Sequence, residues 1–134
     1  MAFLIDTDLL VDVERGVAAA ELDDVLDDQR CAISVITVSE LLHGVHRASD
    51  ARRRTRRRAF VEHVLQGMSA IPITTPVARV HAEVWAELTE RGDTPGAHDL
   101  WIGSTAIAHG LDVLTRNLGD FGRMPGVRAI ALSS

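Results

Sequence analysis

The stretch that decides the fold is Ala2-Phe3-Leu4-Ile5-Asp6-Thr7-Asp8, an apolar run that ends in acidic residues. Three consecutive apolar residues are typical of a short strand that is buried on both faces. Residues 8–15 predict a short helix that ends at Gly16. An acid at the end of such a strand does not contribute to packing, so we expect Asp6 to lie where parallel sheets bind their ligands.

Strand-like and helix-like segments alternate along the rest of the chain. Further strands are predicted at 31–35, around Ile71 and Ile73, at 112–115 and at 127–132. Helices are predicted over 17–29 and over 98–109, and another begins at Thr37 or Ser39. The Arg-rich segment predicts a helix that continues to Gln66. A further helix is predicted from an N-cap at Thr75, with Pro76 in the first helical position. This order predicts one α/β domain over residues 1–134, with a mostly parallel central sheet and helices on both faces.

Three more acids follow predicted strands or open predicted helices. Glu40 lies in Ser39-Glu40-Leu41, Asp99 opens the helix over 98–109, and Asp120 comes after the strand at 112–115. Each acid alone is also explained as a helix cap or a first-turn residue. If the strands are parallel neighbours, however, all of these acids and Asp6 meet at one edge. Such a cluster repels itself unless it binds a hard cation, so the pattern predicts a Mg²⁺ or Mn²⁺ site.

Several neighbouring residues keep two interpretations. Asp8 is either a further ligand or an acid that suits the first turn of its helix. His98 either contacts substrate or metal, or is a loop histidine without a role. Trp85 and Trp101 fit helix packing, either in the core or on a surface for self-association.

The charge of the chain is unevenly distributed. The net charge is −5 over 134 residues, yet residues 52–58 (Arg-Arg-Arg-Thr-Arg-Arg-Arg) hold six of the fourteen cations, and all fourteen are Arg. The absence of Lys excludes mechanisms that need a catalytic lysine and phosphate loops that carry one. The Arg run is a solvated helix face, a surface for an acidic partner, or an RNA-binding rim.

The single cysteine, Cys31, cannot form a disulfide within the chain. The N-terminus enters a strand at once, without the basic leader of a signal peptide, and we find no apolar stretch that is long enough to cross a bilayer. We therefore expect a cytoplasmic protein that has no membrane partner.

Taken in order, these motifs resemble those of PIN domains. The chain is most similar to the VapC ribonuclease toxins of bacterial VapBC toxin–antitoxin modules. The similarity runs from residue 2 to the C-terminus and rests on four motifs: Asp6-Thr7 after an apolar strand, Ser39-Glu40-Leu41, Asp99 followed by Trp101-Ile102-Gly103, and Thr115 to Phe121.

The resemblance implies a Mg²⁺-dependent endoribonuclease that inhibits translation by cutting structured RNA, such as a tRNA or a ribosomal RNA loop. It also implies a homodimer and a VapB-like antitoxin whose tail inserts near the active site, so that operator DNA is reached only through the antitoxin. Many relatives carry Asn or Ser at the position of Asp8. The family's catalytic quartet falls on Asp6, Glu40, Asp99 and Asp120, and its supporting polar residues fall on Thr7, Thr115 and Asn117.

We expect Asp6 and Asp99 to be direct metal ligands, with water as the nucleophile and 5′-phosphate and 3′-hydroxyl ends as products. Cations near the rim must offset the repulsion between the acids and RNA. A phosphotransfer domain would need a lysine, which the chain lacks, whereas a non-catalytic metal-binding or partner-binding module stays an alternative. The candidate contacts to RNA or antitoxin are Arg116, Arg53, Arg56 and Arg57.

Overall fold

The computed structural model describes residues 3–16 and 31–131 of the chain. The strands in these residues are β1 (Phe3–Ile5), β2 (Cys31–Ser34), β3 (Ser69–Ile71), β4 (Asp112–Thr115) and β5 (Ala129–Ala131). The helices are α1 (Thr7–Glu14), α2 (Val35–His46), α3 (Ala51–Gly67), α4 (Thr75–Glu90), α5 (Ala97–His109) and α6 (Leu118–Gly122). The helix predicted over 17–29 lies outside the described residues.

The strands form one sheet in the order β3-β2-β1-β4-β5, and every pairing is parallel, as predicted. The central strand is β1, in which Phe3 pairs with Cys31 of β2 on one side and with Asp112 of β4 on the other. The chain runs from β1 outward to β3 and then returns to place β4 on the opposite side of β1. The strand order therefore reverses between β1 and β4, and ligands bind at such reversals, beyond the carboxyl ends of the strands.

Alternate side chains of the strands enter two separate apolar cores, one on each face of the sheet. Ile5 and Leu114 lie in the core that α1, α2 and α3 complete. Their neighbours Leu4 and Val113 lie in the core that α4 and α5 complete. This arrangement confirms the prediction of helices on both faces.

The predicted start of α2 is wrong because its capping residue was missed. We expected the helix to begin at Thr37 or Ser39, but it begins at Val35. The Ser34 hydroxyl accepts a hydrogen bond from the backbone N–H of Ile36 at 3.0 Å and so caps the helix. As a result, β2 ends at Ser34, one residue earlier than predicted.

The start of α4 and the end of β3 also differ from the predictions. Thr74 rather than Thr75 is the N-cap of α4, so Pro76 is the second helical residue. β3 ends at Ile71, and Ile73 lies outside it with 36% of its surface exposed. Within residues 3–16 and 31–131, no helix is both long and apolar enough to span a membrane.

A close contact fixes α5, the helix that carries Asp99. A Cβ atom added to Gly103 would lie 2.5 Å from the Met124 Sδ and 3.3 Å from the Val127 Cγ2. Met124 is only 2% exposed, so its sulfur has little free space into which it can move. The glycine therefore sets how closely α5 approaches the segment that follows α6.

We expect Gly103→Ala to lower the free energy of unfolding by about 1–3 kcal/mol, because the new methyl group overpacks this contact. Gly44→Ala is the matched control, since Gly44 is also helical and has no atom within 4 Å of the added Cβ. The control should raise stability by about 0.5–1 kcal/mol. Urea unfolding followed by circular dichroism measures both changes, and equal effects of the two substitutions would contradict the packing interpretation.

Candidate active site

Asp6 lies at the reversal of strand order, where β1 ends beside β4. Its backbone N–H donates to the Leu114 carbonyl oxygen at 2.9 Å, which extends the pairing of β1 and β4 by one residue. The side chain is 2% exposed, and its Oδ2 accepts a hydrogen bond from the Thr115 hydroxyl at 2.9 Å. The same Thr115 oxygen accepts the backbone N–H of Asn117 at 2.8 Å. The ends of both strands are therefore tied to this carboxylate.

A second set of contacts holds Glu40, which projects from α2. The Thr7 hydroxyl donates to the Glu40 Oε1 at 2.7 Å, and the Thr7 and Thr37 Oγ1 atoms lie 2.9 Å apart. Thr7 has one hydroxyl proton and directs it to the carboxylate, so Thr37 is the donor in the second contact. On the opposite side, the Glu40 Oε2 lies 3.2 Å from the His98 Nδ1. These contacts join α1, α2 and α5 at one point.

Asp99 and Asp120 complete the acidic group from two other helices. Asp99 lies in the first turn of α5, and Asp120 lies in the first turn of α6. The Asp120 Oδ2 accepts a hydrogen bond from the Asn117 side-chain amide at 2.7 Å, and its Oδ1 lies 3.5 Å from the Arg123 Nη2. The structure thus brings all four predicted acids, Asp6, Glu40, Asp99 and Asp120, to the carboxyl edge of the sheet.

Burial raises the pKa of Asp6 to about 7, against the lowering effect of the Thr115 hydrogen bond, and Asp8, Asp99 and Glu40 raise it further by repulsion. Burial is also the main reason why the pKa of Asp99 rises to about 6, and the acids around it add to the rise. The pKa of Asp8 is raised by burial and by repulsion from Glu40, Asp12 and Asp120. A divalent cation would relieve this repulsion.

The donor set fits a hard metal ion, because carboxylate and hydroxyl oxygens are the ligands that Mg²⁺ and Mn²⁺ prefer. In this conformation, however, no three His, Cys, Asp or Glu side chains of residues 3–16 and 31–131 are arranged to hold one ion. Carboxylates that repel one another stay apart. Binding of an ion would therefore require some of these side chains to rotate toward a common point.

The predicted arginine contacts fall in two places. Arg116 follows β4 directly, and its Nε lies 3.0 Å from the Asp12 Oδ2, close to the acidic group. Arg53, Arg56 and Arg57 line a separate cavity of about 360 Å³, together with Glu14 and Arg15. The Arg run is therefore not at the centre of the acidic group.

A groove of about 380 Å³ connects the two regions, since its lining includes both Glu40 and Arg57. Leu41 and Phe60 are among its apolar lining residues, and Arg47 is among the charged ones. The groove can accept a chain segment that carries both apolar and acidic side chains.

The sequence interpretation missed three contacts. Thr37 contacts Thr7 instead of starting a helix, Asp12 pairs with Arg116, and His98 lies beside Glu40. Helical spacing indicates that two of these residues share a helix face with a predicted acid, because Asp12 is one turn after Asp8 and Thr37 is one turn before Glu40. The contacts of Asp12 and His98 with distant residues depend on how the helices pack.

The raised pKa of Asp6 predicts how stability depends on pH without divalent ions. The raised pKa means that the folded state favours the protonated Asp6 carboxyl group. The fold is therefore most stable below pH 4, and it loses this stability as the pH rises to about 7. Asp6→Asn should therefore gain stability relative to the wild type over this range, by about 4 kcal/mol. Urea unfolding in the presence of a chelator measures this difference in the free energy of unfolding. Asp112→Asn is the control for the loss of one acid outside the acidic group, and a wild-type pH dependence of stability in Asp6→Asn would contradict the assignment.

Comparisons with known proteins identify the family of the chain. The PIN domain model matches residues 3–127. Ribonuclease VapC1 of Rickettsia felis is 32% identical over 134 residues, which cover 100% of this chain and 98% of that protein. The tRNA(fMet)-specific endonuclease VapC of Salmonella typhimurium is 33% identical over 103 residues, which cover 77% of this chain and 76% of that protein.

Among solved structures, the DNA-bound VapBC of Salmonella typhimurium has a TM-score of 0.86 at 28% identity, and the match covers 98% of both chains. The match to the family model spans most of the chain, and the match to ribonuclease VapC1 spans nearly the full length of that relative. The chain therefore belongs to the PIN-domain family, and within it to the VapC type.

Proposed function

We propose that this protein is a Mg²⁺-dependent endoribonuclease, the toxin of a VapBC module, which inhibits translation by hydrolysing phosphodiester bonds in structured RNA. The observation that carries the proposal is the buried Asp6 carboxylate at the reversal of strand order, with a pKa raised to about 7 by burial and by the acids around it. Such a group is retained at a cost in stability, which is typical of functional sites.

The chain's own residues define the roles at the site. Asp6 and Asp99 would hold the metal, and Mn²⁺ would substitute for Mg²⁺ because both prefer oxygen ligands. When bound, the metal activates water and neutralises charge that develops on the phosphate. Thr115 keeps Asp6 oriented, and Thr7 keeps Glu40 oriented toward the same edge. A carboxylate held in this way can accept a proton from the attacking water.

Structured RNA is the substrate class that the relatives support. The Salmonella typhimurium relative is named as an endonuclease specific for tRNA(fMet). In folded RNA, single-stranded loops present unstacked bases and an accessible backbone. We infer that this chain cuts such a loop in a tRNA or ribosomal RNA, with water as the nucleophile, and leaves a 5′-phosphate and a 3′-hydroxyl.

We infer that a VapB-like antitoxin occupies the groove between Glu40 and Arg57. The solved Salmonella typhimurium neighbour is a VapBC complex bound to DNA. Phe60 and Leu41 offer apolar contacts in the groove, and Arg15 and Arg47 offer partners for acidic side chains. An acidic, amphipathic antitoxin tail matches both features. Operator DNA would then be bound only through the antitoxin.

We further infer a homodimer that uses the opposite face of the sheet. Trp85 on α4 is 58% exposed, and tryptophan is enriched at protein interfaces. Beside it, the His81 imidazole stacks on the Trp101 indole with ring centroids 3.5 Å apart. This aromatic surface is suited to contact with a second copy of the chain.

The purified chain should cleave bacterial RNA in the presence of Mg²⁺ or Mn²⁺, and EDTA should abolish the cleavage. Asp6→Asn and Asp99→Asn should each lower the rate at least ~100-fold, because each removes a charged oxygen ligand. Asp112→Asn is the control, since it removes an acid that lies outside the cluster. Mapping of the RNA ends tests the chemistry, and wild-type cleavage rates for Asp6→Asn would refute the proposal. A protein that binds Mg²⁺, as judged by a higher melting temperature, but cuts no RNA would support a non-catalytic module.

Two substitutions on opposite faces of the sheet should separate the two protein interfaces. Phe60→Ala should weaken the complex with a co-expressed VapB-like antitoxin by ~10-fold or more, since buried aromatic anchors dominate interfaces. Trp85→Ala should weaken self-association and leave antitoxin binding intact. Affinity measurements and light scattering report the two effects, and each variant is the control for the other. If both variants behave like the wild type, the two surfaces are misassigned.

A further inference from the structure

Arg116 stands between two residues whose positions are set by the site. Thr115 before it donates its hydroxyl to Asp6, and Asn117 after it donates its backbone N–H to the Thr115 Oγ1 at 2.8 Å. The Arg116 side chain is 28% exposed. It therefore starts from a fixed backbone and reaches the surface beside the acidic group.

The hydrogen bonds of the Arg116 guanidinium are incomplete. Its Nε lies 3.0 Å from the Asp12 Oδ2. Its Nη1 is shielded from solvent and has no acceptor in the part of the chain that the structure describes. A buried donor that lacks an acceptor carries a cost in stability. The side chain as a whole is 28% exposed, so a rotation that brings Nη1 to the surface would let a ligand oxygen remove this cost. The planar fork of a guanidinium matches the oxygens of a phosphate.

Asp12 determines where this guanidinium lies. It is one helical turn after Asp8 on α1, and its charge acts on the Asp8 carboxylate, so it stands at the margin of the acidic group. Arg116 adjoins Thr115, whose hydroxyl binds the Asp6 carboxylate, so its side chain could turn toward the acidic group and take the place of a divalent cation. The contact with Asp12 instead holds Arg116 at the margin.

The neighbouring arginines are engaged differently. Arg123 is shared between Asp120 and Asp93, at 3.5 and 3.8 Å, and is 49% exposed. Arg57 donates to the Gly44 carbonyl oxygen at 3.1 Å. Among the described residues, Arg116 is the arginine beside the acids with a shielded nitrogen that lacks an acceptor.

We propose that Asp12 and Arg116 form a phosphate-binding unit at the edge of the site, in which Arg116 binds a backbone phosphate oxygen of RNA and Asp12 is its positioning residue. The proposal rests on the proposed ribonuclease function and adds a residue, Asp12, that lies outside the acidic quartet. The RNA phosphate is thereby attracted to an edge whose carboxylates would otherwise repel it, and the metal position stays free of the guanidinium.

The first test measures RNA binding without cleavage. In an Asp99→Asn background, the affinity for a fluorescein-labelled tRNA(fMet) transcript is measured by anisotropy over a range of salt concentrations. Adding Arg116→Ala should weaken binding by ~10-fold or more and lower the salt slope by about one phosphate contact. Arg116→Lys should retain the slope and recover only part of the affinity, because a point charge lacks the fork geometry. Arg128→Ala is the control, since Arg128 pairs with Asp112 at the opposite edge of the sheet.

The second test addresses Asp12 through the metal, with thermal stability as the readout. Asp12→Asn should raise the Mg²⁺ concentration needed for half of the stabilisation, because the released guanidinium competes for the carboxylates. The double variant Asp12→Asn with Arg116→Ala should return this concentration toward the wild-type value. Asp112→Asn is the matched control for the loss of one acid. A purely structural role for Asp12 would give no such restoration.

The outcomes distinguish this proposal from the proposed function. If the wild type neither binds nor cuts RNA while folded, the ribonuclease function fails. If the wild type cuts RNA but Arg116→Ala has the affinity and salt slope of Arg128→Ala, only the phosphate-binding unit is refuted. If Arg116→Ala weakens binding of the antitoxin and not of RNA, the unit serves the protein partner and the proposal is also overturned.

Discussion

One buried hydrogen bond, from the Thr115 hydroxyl to the Asp6 carboxylate, connects the fold to its site. It joins residues that are 109 positions apart in the chain, and it exists because β1 and β4 are parallel neighbours. The same threonine oxygen accepts the backbone N–H of Asn117, whose side-chain amide binds Asp120. The position of two of the four acids therefore depends on one hydroxyl group at the point where the strand order reverses.

The acids at this edge serve the proposed function but lower the stability of the fold. Burial and repulsion raise the pKa values of Asp6, Asp8 and Asp99, so the ionised cluster destabilises the empty fold near neutral pH. The two apolar cores, one on each face of the sheet, supply the stability that tolerates this cost. A bound cation would attract each of these acids and offset their mutual repulsion. We therefore expect metal binding to stabilise the fold.

Much of this arrangement could be predicted because the signals are local. The apolar run Phe3-Leu4-Ile5 followed by Asp6 indicates a buried strand with an acid at its end, and the parallel sheet confirms this interpretation. The start of α2 was misjudged because the capping role of Ser34 competes with its place in a strand-like run. The ion pair of Asp12 with Arg116 joins residues that are far apart in the sequence. No spacing rule connects them, and only the packing of α1 against β4 brings them together.

The central position of β1 has a consequence for the newly made chain. β1 leaves the ribosome well before its partner β4, which begins only at Asp112. The carboxylate edge therefore cannot assemble while the polypeptide is still largely unsynthesised, since long-range strand pairing must wait for its second member.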